Sequence, residues 1–226
     1  IFFEPREHPM SFKKLSDTKA FMHLPTTPYW QAECDITVEL NEPYYLDYQF
    51  RVTPHKAGLA GDLFGVFWAS YMNAPIDKSV YFLADGSTLD APKWQQFYSQ
   101  VHNRDSVLRH TSDTFEMPKV EKPEALWLEE SPLRYSEPFY YGRYQNMVFI
   151  YIFNSEQLVR FTTSPSGGGW NDEKAANNPA WDFQLLVPDY KVDTEYALDV
   201  RVVYKPWVDR EDVLNEVRKC LYPETK

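Results

Sequence analysis

The sequence predicts an all-β fold, an antiparallel β-sandwich of the supersandwich or jelly-roll type that carries one C-terminal α-helix. Between about residues 36 and 205, apolar and polar residues mostly alternate with a period of two, which is typical of half-buried strands. Turn signals such as Ala84-Asp85-Gly86 separate the runs. Helix-period segments do not alternate with the strands, so a parallel α/β fold is not expected.

Each predicted strand is one of these alternating runs, and the longest are rich in Tyr, Phe, Val and Ile, which suit a pleated surface. The part of the chain before the first strand is predicted to be irregular. We predict strands near 34–40, 44–54, 62–73, 79–84, 94–102, 106–110, 125–129, 139–153, 157–163, 180–187 and 195–205.

The C-terminal helix is predicted over about 209–221. Asp209 is the expected N-cap, and the acidic Glu211 and Asp212 follow in the first turn. Pro223 comes just after the predicted end. One face of the helix is apolar and is expected to pack on the sandwich as a lid or strut. Its members are Val213, Leu214, Val217, Cys220 and Leu221.

Length and charge exclude several classes of protein. The 226 residues suit a single domain over 1–226. The formal net charge of −10 argues against nucleic acid, which needs a basic stripe. No apolar run approaches the roughly 18 residues needed to span a bilayer. Cys34 and Cys220 are too few for a disulfide framework or a four-cysteine zinc site, and whether they pair stays open.

The polar faces of the predicted strands point to a class of ligand. A merely solvated sheet face is usually made of Lys, Glu and Thr, whereas these faces use Arg, Gln, His, Tyr, Asp and Ser. Such groups can hold vicinal hydroxyls, and interleaved Tyr and Trp rings can stack on the C–H face of a sugar. The pattern therefore predicts a carbohydrate site. The alternative is a sandwich whose polar networks tie the outer face of one sheet.

The predicted substrate-binding residues come from these faces and from the loops beside them. Arg51, Arg143 and Arg160 are expected to act as clamps, and Trp170 and Trp181 as stacking walls. The full set is Gln49, Arg51, His55, Gln100, Arg104, Tyr141, Arg143, Arg160, Ser164, Trp170, Trp181, Asp182 and Gln184.

Acid–base chemistry is predicted around the segment that His102 and His110 bracket, because histidine is the usual proton carrier near neutral pH. We predict His102 as the acid–base residue, Tyr98 as its helper and His110 as a further catalytic candidate. The segment is expected to form a strand end, a turn and a returning strand. The alternative is a charged hairpin with a local Arg104–Asp105 pair.

No metal or cofactor is predicted. The histidines lack the tight His-x-His or His-Glu-x-x-His spacing of many zinc sites. Glycoside hydrolysis needs two facing carboxylates, and no spacing selects such a pair. The acids best placed by alternation or aromatic context are Asp47, Glu137 and Asp182.

The Gly-rich stretch 164–170 lacks Gly-Lys-Ser/Thr and Gly-x-Ser-x-Gly, so it is neither a phosphate-binding loop nor a nucleophile elbow. It is expected to permit unusual backbone angles and to present Trp170 at the rim of a cleft. The alternative is a long hairpin loop.

Three segments together resemble bacterial β-sandwich proteins of the galactose-mutarotase-like type. They are the alternating strand 47–53, the segment 102–110 and the strand Asn178-Pro179-Ala180-Trp181-Asp182-Phe183-Gln184. The resemblance is one of pattern over roughly residues 34–205. It implies a sugar epimerase or a sandwich domain of a polysaccharide-degrading enzyme. It also implies that His102 and His110 match the two mutarotase histidines, whereas no residue is matched to the catalytic Glu.

We therefore expect a carbohydrate-active enzyme, a hydrolase, lyase or epimerase, that binds its sugar on a polar concave sheet face. A non-catalytic carbohydrate-binding module and a structural, partner-binding sandwich stay open as alternatives. Neither nucleic acid nor membrane is an expected partner, and the oligomeric state is left open. The chain begins at Ile1 rather than Met, as after signal-peptide removal or trimming, and we expect a periplasmic or secreted location.

Overall fold

The protein is built from two packed β-sheets, as seen in a computed structural model that describes residues 4–101, 104–118, 129–165 and 177–223. Within these residues one sheet has nine strands and the other has five. All strand pairs are antiparallel except one parallel pair in the smaller sheet. The prediction of an all-β, largely antiparallel sandwich with one C-terminal helix is confirmed. The extent of a single domain over 1–226 stays a prediction.

The nine-stranded sheet runs in the order β1-β2-β3-β4-β14-β11-β10-β6-β7. Its outermost described strands are therefore β1 and β7. Its members are β1 (Ser11–Lys14), β2 (Lys19–Leu24), β3 (Ala32–Asn41), β4 (Tyr45–Pro54), β6 (Val80–Leu83), β7 (Trp94–Phe97), β10 (Phe139–Tyr144), β11 (Met147–Asn154) and β14 (Tyr196–Pro206).

The five-stranded sheet runs in the order β5-β13-β12-β8-β9, and β8 and β9 are the parallel pair. Its members are β5 (Leu63–Trp68), β8 (Val107–His110), β9 (Glu130–Tyr135), β12 (Leu158–Ser164) and β13 (Ala180–Pro188).

Aromatic rings fill the space between the two sheets. Phe153 of the larger sheet lies 5.3 Å from Phe161 and 5.0 Å from Phe183 of the smaller sheet, measured between ring centroids. Phe50 meets Trp68 edge-on at 4.9 Å. Such pairs add to the stability that burial of their apolar surface provides. This core fixes the face-to-face arrangement of the sheets.

The helix α1 (Arg210–Leu221) packs on the outer face of the nine-stranded sheet. Asp209 caps it as predicted, since its carboxylate accepts a hydrogen bond from the Asp212 N–H at 2.8 Å. Val213, Leu214 and Val217 are buried against the sheet. None of the helices among the described residues is both long and apolar enough to cross a membrane.

The observed strands correct several predictions. The part before residue 34 is not irregular, because β1 and β2 form a hairpin there. The predicted strand 139–153 is two strands, since Gln145 adopts a left-handed conformation (φ 55°) in the turn between them. Strands predicted over 62–73 and 94–102 end at Trp68 and Phe97. Most of the predicted strand 125–129 lies outside the described residues, and β9 follows it instead.

Candidate functional site

One end of the five-stranded sheet gathers segments from four parts of the chain. Trp181 N–H donates to the Ser70 carbonyl at 2.9 Å, and Thr163 N–H donates to the Ser106 carbonyl at 3.1 Å. Ser164 lies directly opposite Ala180 in the β12–β13 ladder. We call this end of the sheet, with the residues that border it, the rim.

A pocket of about 340 Å³ opens beside the rim, in the connection from β7 to β8. That volume lies at the lower end of the range for small-molecule sites. Tyr98 is half-buried in it, whereas Gln100 and Arg104 are exposed. Burial raises the pKa of the Tyr98 hydroxyl, so this group is a neutral hydrogen-bond donor at physiological pH. The lining residues are Phe97, Tyr98, Ser99, Gln100, Val101, Arg104 and Asp105.

Ser99 shapes this pocket. Its hydroxyl lies 2.7 Å from the Val101 carbonyl and 2.9 Å from the Arg104 carbonyl, so it ties the two ends of the turn together. Its N–H donates to the Thr163 hydroxyl at 3.1 Å, which fixes the turn to β12. Asp105 adopts a left-handed conformation (φ 48°) as the chain enters β8. The pocket wall is therefore held by the sheet.

Asp182 lies two residues inside the rim, on β13. It is 4% exposed, and its carboxylate accepts a hydrogen bond from the Ser70 N–H at 2.6 Å. Burial raises the pKa of this carboxyl to about 7, although the Ser70 hydrogen bond opposes the shift. A carboxyl with this pKa changes charge near neutral pH, which is what proton transfer requires.

The outer face of the five-stranded sheet is polar and buried. Arg160 has no exposed surface, and its guanidinium pairs with Asp113 (2.7 Å) and Glu130 (2.8 Å). Gln184 is 2% exposed and donates to the Thr162 hydroxyl at 3.3 Å. The predicted alternation is correct here, but the expectation of an open polar face is wrong for these strands, because both of their faces are buried.

The segment 111–118, which we call the strap, crosses this outer face. The Arg160 guanidinium donates to the Phe115 carbonyl at 2.6 Å, and Arg134 donates to the Asp113 carbonyl at 2.8 Å. At its far end, Pro118 lies against Gly61 beside β5. The strap thus runs from the end of β8 to the start of β5 and covers the polar groups between them.

Trp181 lies in the core between the sheets. Its ring has no exposed surface, and its indole N–H donates to the Lys78 carbonyl at 2.9 Å. In this position the ring has no face available to a sugar, in contrast to the predicted stacking wall.

Gln49, Arg51 and His55 do not line the rim pocket. They belong to β4 and the residue after it, and four strands lie between β4 and β7, which leads into the pocket. Gln49 and Arg51 lie on the outer face of β4, where Arg51 pairs with Asp199 at 2.6 Å. His55 pairs with Asp193 at 2.6 Å, and this contact raises the pKa of the imidazole. These side chains form part of a charged sheet face.

Tyr141 and Arg143 lie on the outer face of β10, next to the start of α1. Tyr141 is 2% exposed, and the Arg210 side chain donates to its hydroxyl at 3.3 Å. The Arg143 guanidinium lies over the Trp207 ring, 4.5 Å from the centroid. Arg51 and Arg143 share the outer face of the larger sheet, but β14 and β11 lie between their strands, and Arg160 lies on the smaller sheet. The three predicted arginine clamps therefore do not converge.

Of the two predicted catalytic histidines, His110 is among the described residues and His102 is not. His110 lies at the end of β8 away from the pocket, and its ring nitrogens contact the Ser112 hydroxyl (2.7 Å) and the Ser136 carbonyl (3.1 Å). His102 lies outside the described residues, between Val101 and Arg104 of the pocket lining, and Trp170 also lies outside them. Ser164 ends β12 at the rim.

Metal ligands do not cluster in the described ranges, where no group of three or more His, Cys, Asp or Glu residues is placed to hold an ion. Cys34 and Cys220 are both free thiols, which settles the question of their pairing.

Sequence reasoning missed several residues that shape the rim. Ser70 lies on no predicted polar face, and only the fold brings its N–H to Asp182. Ser99 lies within the predicted strand 94–102, but the observed strand ends before it, at Phe97. Asp105 belongs to the segment that was singled out for its charge, and its left-handed φ was not predictable from the residue type alone.

Comparison with known proteins supports the fold. No family model matches the chain, and no curated protein matches it. Among solved structures, the chain is similar to a candidate aldose 1-epimerase from Escherichia coli K12, with 11% identity and a TM-score of 0.52 over 88% of this chain and 69% of that one. The predicted galactose-mutarotase-like resemblance is confirmed at the level of the fold.

Two further solved structures align less well. The protein HI1317 matches with 9% identity and a TM-score of 0.43, over 85% of this chain and 62% of that one. A structure of the ER glucosidase II complex, with its catalytic subunit and the binding domain of its regulatory subunit, matches with 10% identity and a TM-score of 0.32. That match covers 87% of this chain and 23% of the other.

Proposed function

We propose that the protein binds a sugar in the rim pocket and acts on it as a carbohydrate-active enzyme. The observation that carries the proposal is the convergence of Tyr98, Gln100 and Arg104 on one pocket. Gln100 and Arg104 belong to the predicted substrate-binding set, and Tyr98 is the predicted helper of the acid–base residue. A phenol ring, an amide and a guanidinium supply an apolar platform and directional hydrogen-bond groups.

Two groups are candidates for proton transfer. Asp182 has a pKa of about 7 and lies two residues from the rim. His102, the acid–base residue that the sequence suggests, adjoins the pocket lining in the chain. An acid and a base on one sugar serve hydrolysis, elimination or epimerisation. The similarity in fold to a candidate aldose 1-epimerase makes interconversion of sugar anomers the first reaction to assay.

A non-catalytic sugar-binding module is the second candidate. The observation that favours it is the placement of His110, whose ring is held by Ser112 and Ser136 rather than directed at the pocket. A binding module needs the polar side chains and the ring but no titrating group.

Thermal-shift measurements with a panel of neutral and uronate sugars test the binding. A ligand at 100 times its Kd should add about 2.7 kcal/mol to the free energy of unfolding. Gln100→Ala and Arg104→Ala should reduce the shift, whereas the control Gln49→Ala, exposed on the other sheet, should retain it. A panel that shifts nothing, or shifts all variants equally, would contradict the proposal.

Activity separates the two candidates. With the sugar that binds, anomer interconversion and glycoside cleavage are followed by NMR for the native protein, His102→Ala and Asp182→Asn. An enzyme should lose turnover in at least one variant while retaining sugar affinity. Binding without any turnover in the native protein would instead support the binding module.

A further inference from the structure

Arg143 is unusual among the arginines of this acidic protein. Its Nε is buried and has no hydrogen-bond partner, and its guanidinium forms no ion pair with any residue that the structure describes. Arg51, Arg160, Arg201 and Arg218 all pair with carboxylates. A buried donor without a partner is unfavourable. Of the three nitrogens of Arg143, only Nε is buried without a partner, so the terminal Nη1 and Nη2 are the ones that an oxygen acceptor from outside the chain could reach.

Stacked rings hold Arg143 in place. Its guanidinium lies 4.5 Å from the Trp207 centroid, and Trp207 stacks on Tyr141 at 5.6 Å and 27°. Tyr141 in turn stacks on Tyr81 at 5.1 Å. A guanidinium held over a ring can still offer its terminal N–H groups, and these match the two oxygens of a carboxylate. Stacking therefore fixes the position of the Arg143 guanidinium before a ligand binds.

A second cation adjoins this stack. Arg210, the first residue of α1, donates to the Tyr141 hydroxyl at 3.3 Å and lies over Tyr81 and Trp94 at 5.6 and 5.3 Å. It too forms no ion pair with a described carboxylate. Asp77 opposes the positive charge, since it accepts a hydrogen bond from the Tyr81 hydroxyl at 2.7 Å. Asp209 caps the helix and is likewise negative.

We infer that Arg143, stacked on Trp207, is the anchor of a binding site for the carboxylate group of a small ligand. This site is distinct from the rim pocket, because Arg143 lies on the outer face of β10 and none of the pocket-lining residues belongs to that face. The inference does not depend on what the rim pocket binds. A guanidinium can hold two oxygens of either a carboxylate or a phosphate, so inorganic phosphate is the competing probe.

Calorimetric titration of the full chain with sodium glucuronate, at low and high salt, tests this inference. Arg143→Gln should weaken binding about tenfold or more, the loss expected for one charge-assisted hydrogen bond. The affinity of Arg143→Lys should lie between those of the native protein and Arg143→Gln, because lysine keeps the charge but lacks the planar pair of N–H donors. Arg51→Gln, on the same face of the same sheet, is the matched control and should leave the affinity unchanged.

Several outcomes would overturn the inference. They are no binding of glucuronate to the native protein, an equal loss in the Arg143→Gln and Arg51→Gln variants, and tighter Arg143-dependent binding of inorganic phosphate than of glucuronate. A loss in Arg104→Ala but not in Arg143→Gln would place the carboxylate at the rim, which would overturn this inference while supporting the sugar site. Unchanged affinity with a lower melting temperature in both Arg143 variants would show a purely structural role.

Discussion

The ring of Trp181 occupies the space that a side chain on Gly142 would need. A Cβ at Gly142 would lie 2.4 Å from two atoms of that ring. Trp181 is held at two points, because its ring N–H donates to the Lys78 carbonyl and its backbone carbonyl accepts a hydrogen bond from the Tyr140 hydroxyl at 2.9 Å. Glycine at this point of β10 lets the two sheets approach next to the rim.

Gly142→Ala should destabilise the protein, because neither the ring nor the strand can move freely. Overpacking of this kind costs about 1–3 kcal/mol, to be measured by urea unfolding. The smaller ring of Trp181→Phe should make Gly142→Ala less costly in the double variant than in the native background. Equal costs in both backgrounds would show that the two residues are not coupled.

Arg160→Ala should be far more destabilising than Arg51→Ala. Arg160 is fully buried, and its removal leaves the Asp113 carboxylate, 1% exposed, without its cation. Breaking such a buried pair costs about 3–5 kcal/mol. The half-exposed Arg51–Asp199 pair contributes about 1 kcal/mol or less. Chemical unfolding of the two variants gives the comparison, and similar losses would contradict the structural role of Arg160.

Asp182 should make stability depend on pH. Its folded pKa is raised from 3.8 to about 7, so the folded protein holds the Asp182 proton more tightly than the unfolded chain does. The stability that Asp182 contributes is therefore complete below pH 4 and is lost as the pH rises to 7. Asp182→Asn does not titrate and keeps an oxygen acceptor for Ser70. The free energy of unfolding of the native protein relative to this variant should therefore fall by about 1.4 kcal/mol per pH unit within that window. A difference that stays flat from pH 4 to 8 would exclude the shift.

Cys34 should resist thiol reagents in the folded protein. The side chain is 8% exposed, and burial raises its pKa to about 12, so almost no thiolate exists at neutral pH. Ellman's reagent should modify Cys34 only after unfolding, with Cys34→Ser identifying its share of the signal. Fast modification of Cys34 in native conditions would mean that β3 opens locally.

Local pattern predicted several elements well, because the period-two alternation reports on burial directly. The strands expected at 44–54 and 180–187 are observed at Tyr45–Pro54 and Ala180–Pro188. The order of strands was not predictable in the same way. β14 pairs with β4 and β11, which are far from it in the chain, and such pairing depends on the whole core rather than on neighbouring residues.

For the site, alternation predicted which side chains share a face but not whether that face is open. Arg160 and Gln184 do alternate with Phe161 and Phe183, yet both are buried, and the strap contacts Arg160. The strap could not be predicted from a periodic pattern, because its backbone carbonyls and the Asp113 carboxylate hold it to arginines of the sheet. Gln100 and Arg104 line one pocket with Tyr98 because they are close in the chain, and their role in binding stays a prediction.

The strand β1, at one margin of the larger sheet, has a protective consequence. β1 is four residues long, is exposed throughout and carries Lys13 and Lys14. Short, lysine-bearing margins disfavour the addition of a foreign strand, because ordering against them would bring positive charges together. The form of β1 thus disfavours the pairing of two copies of the chain along this margin.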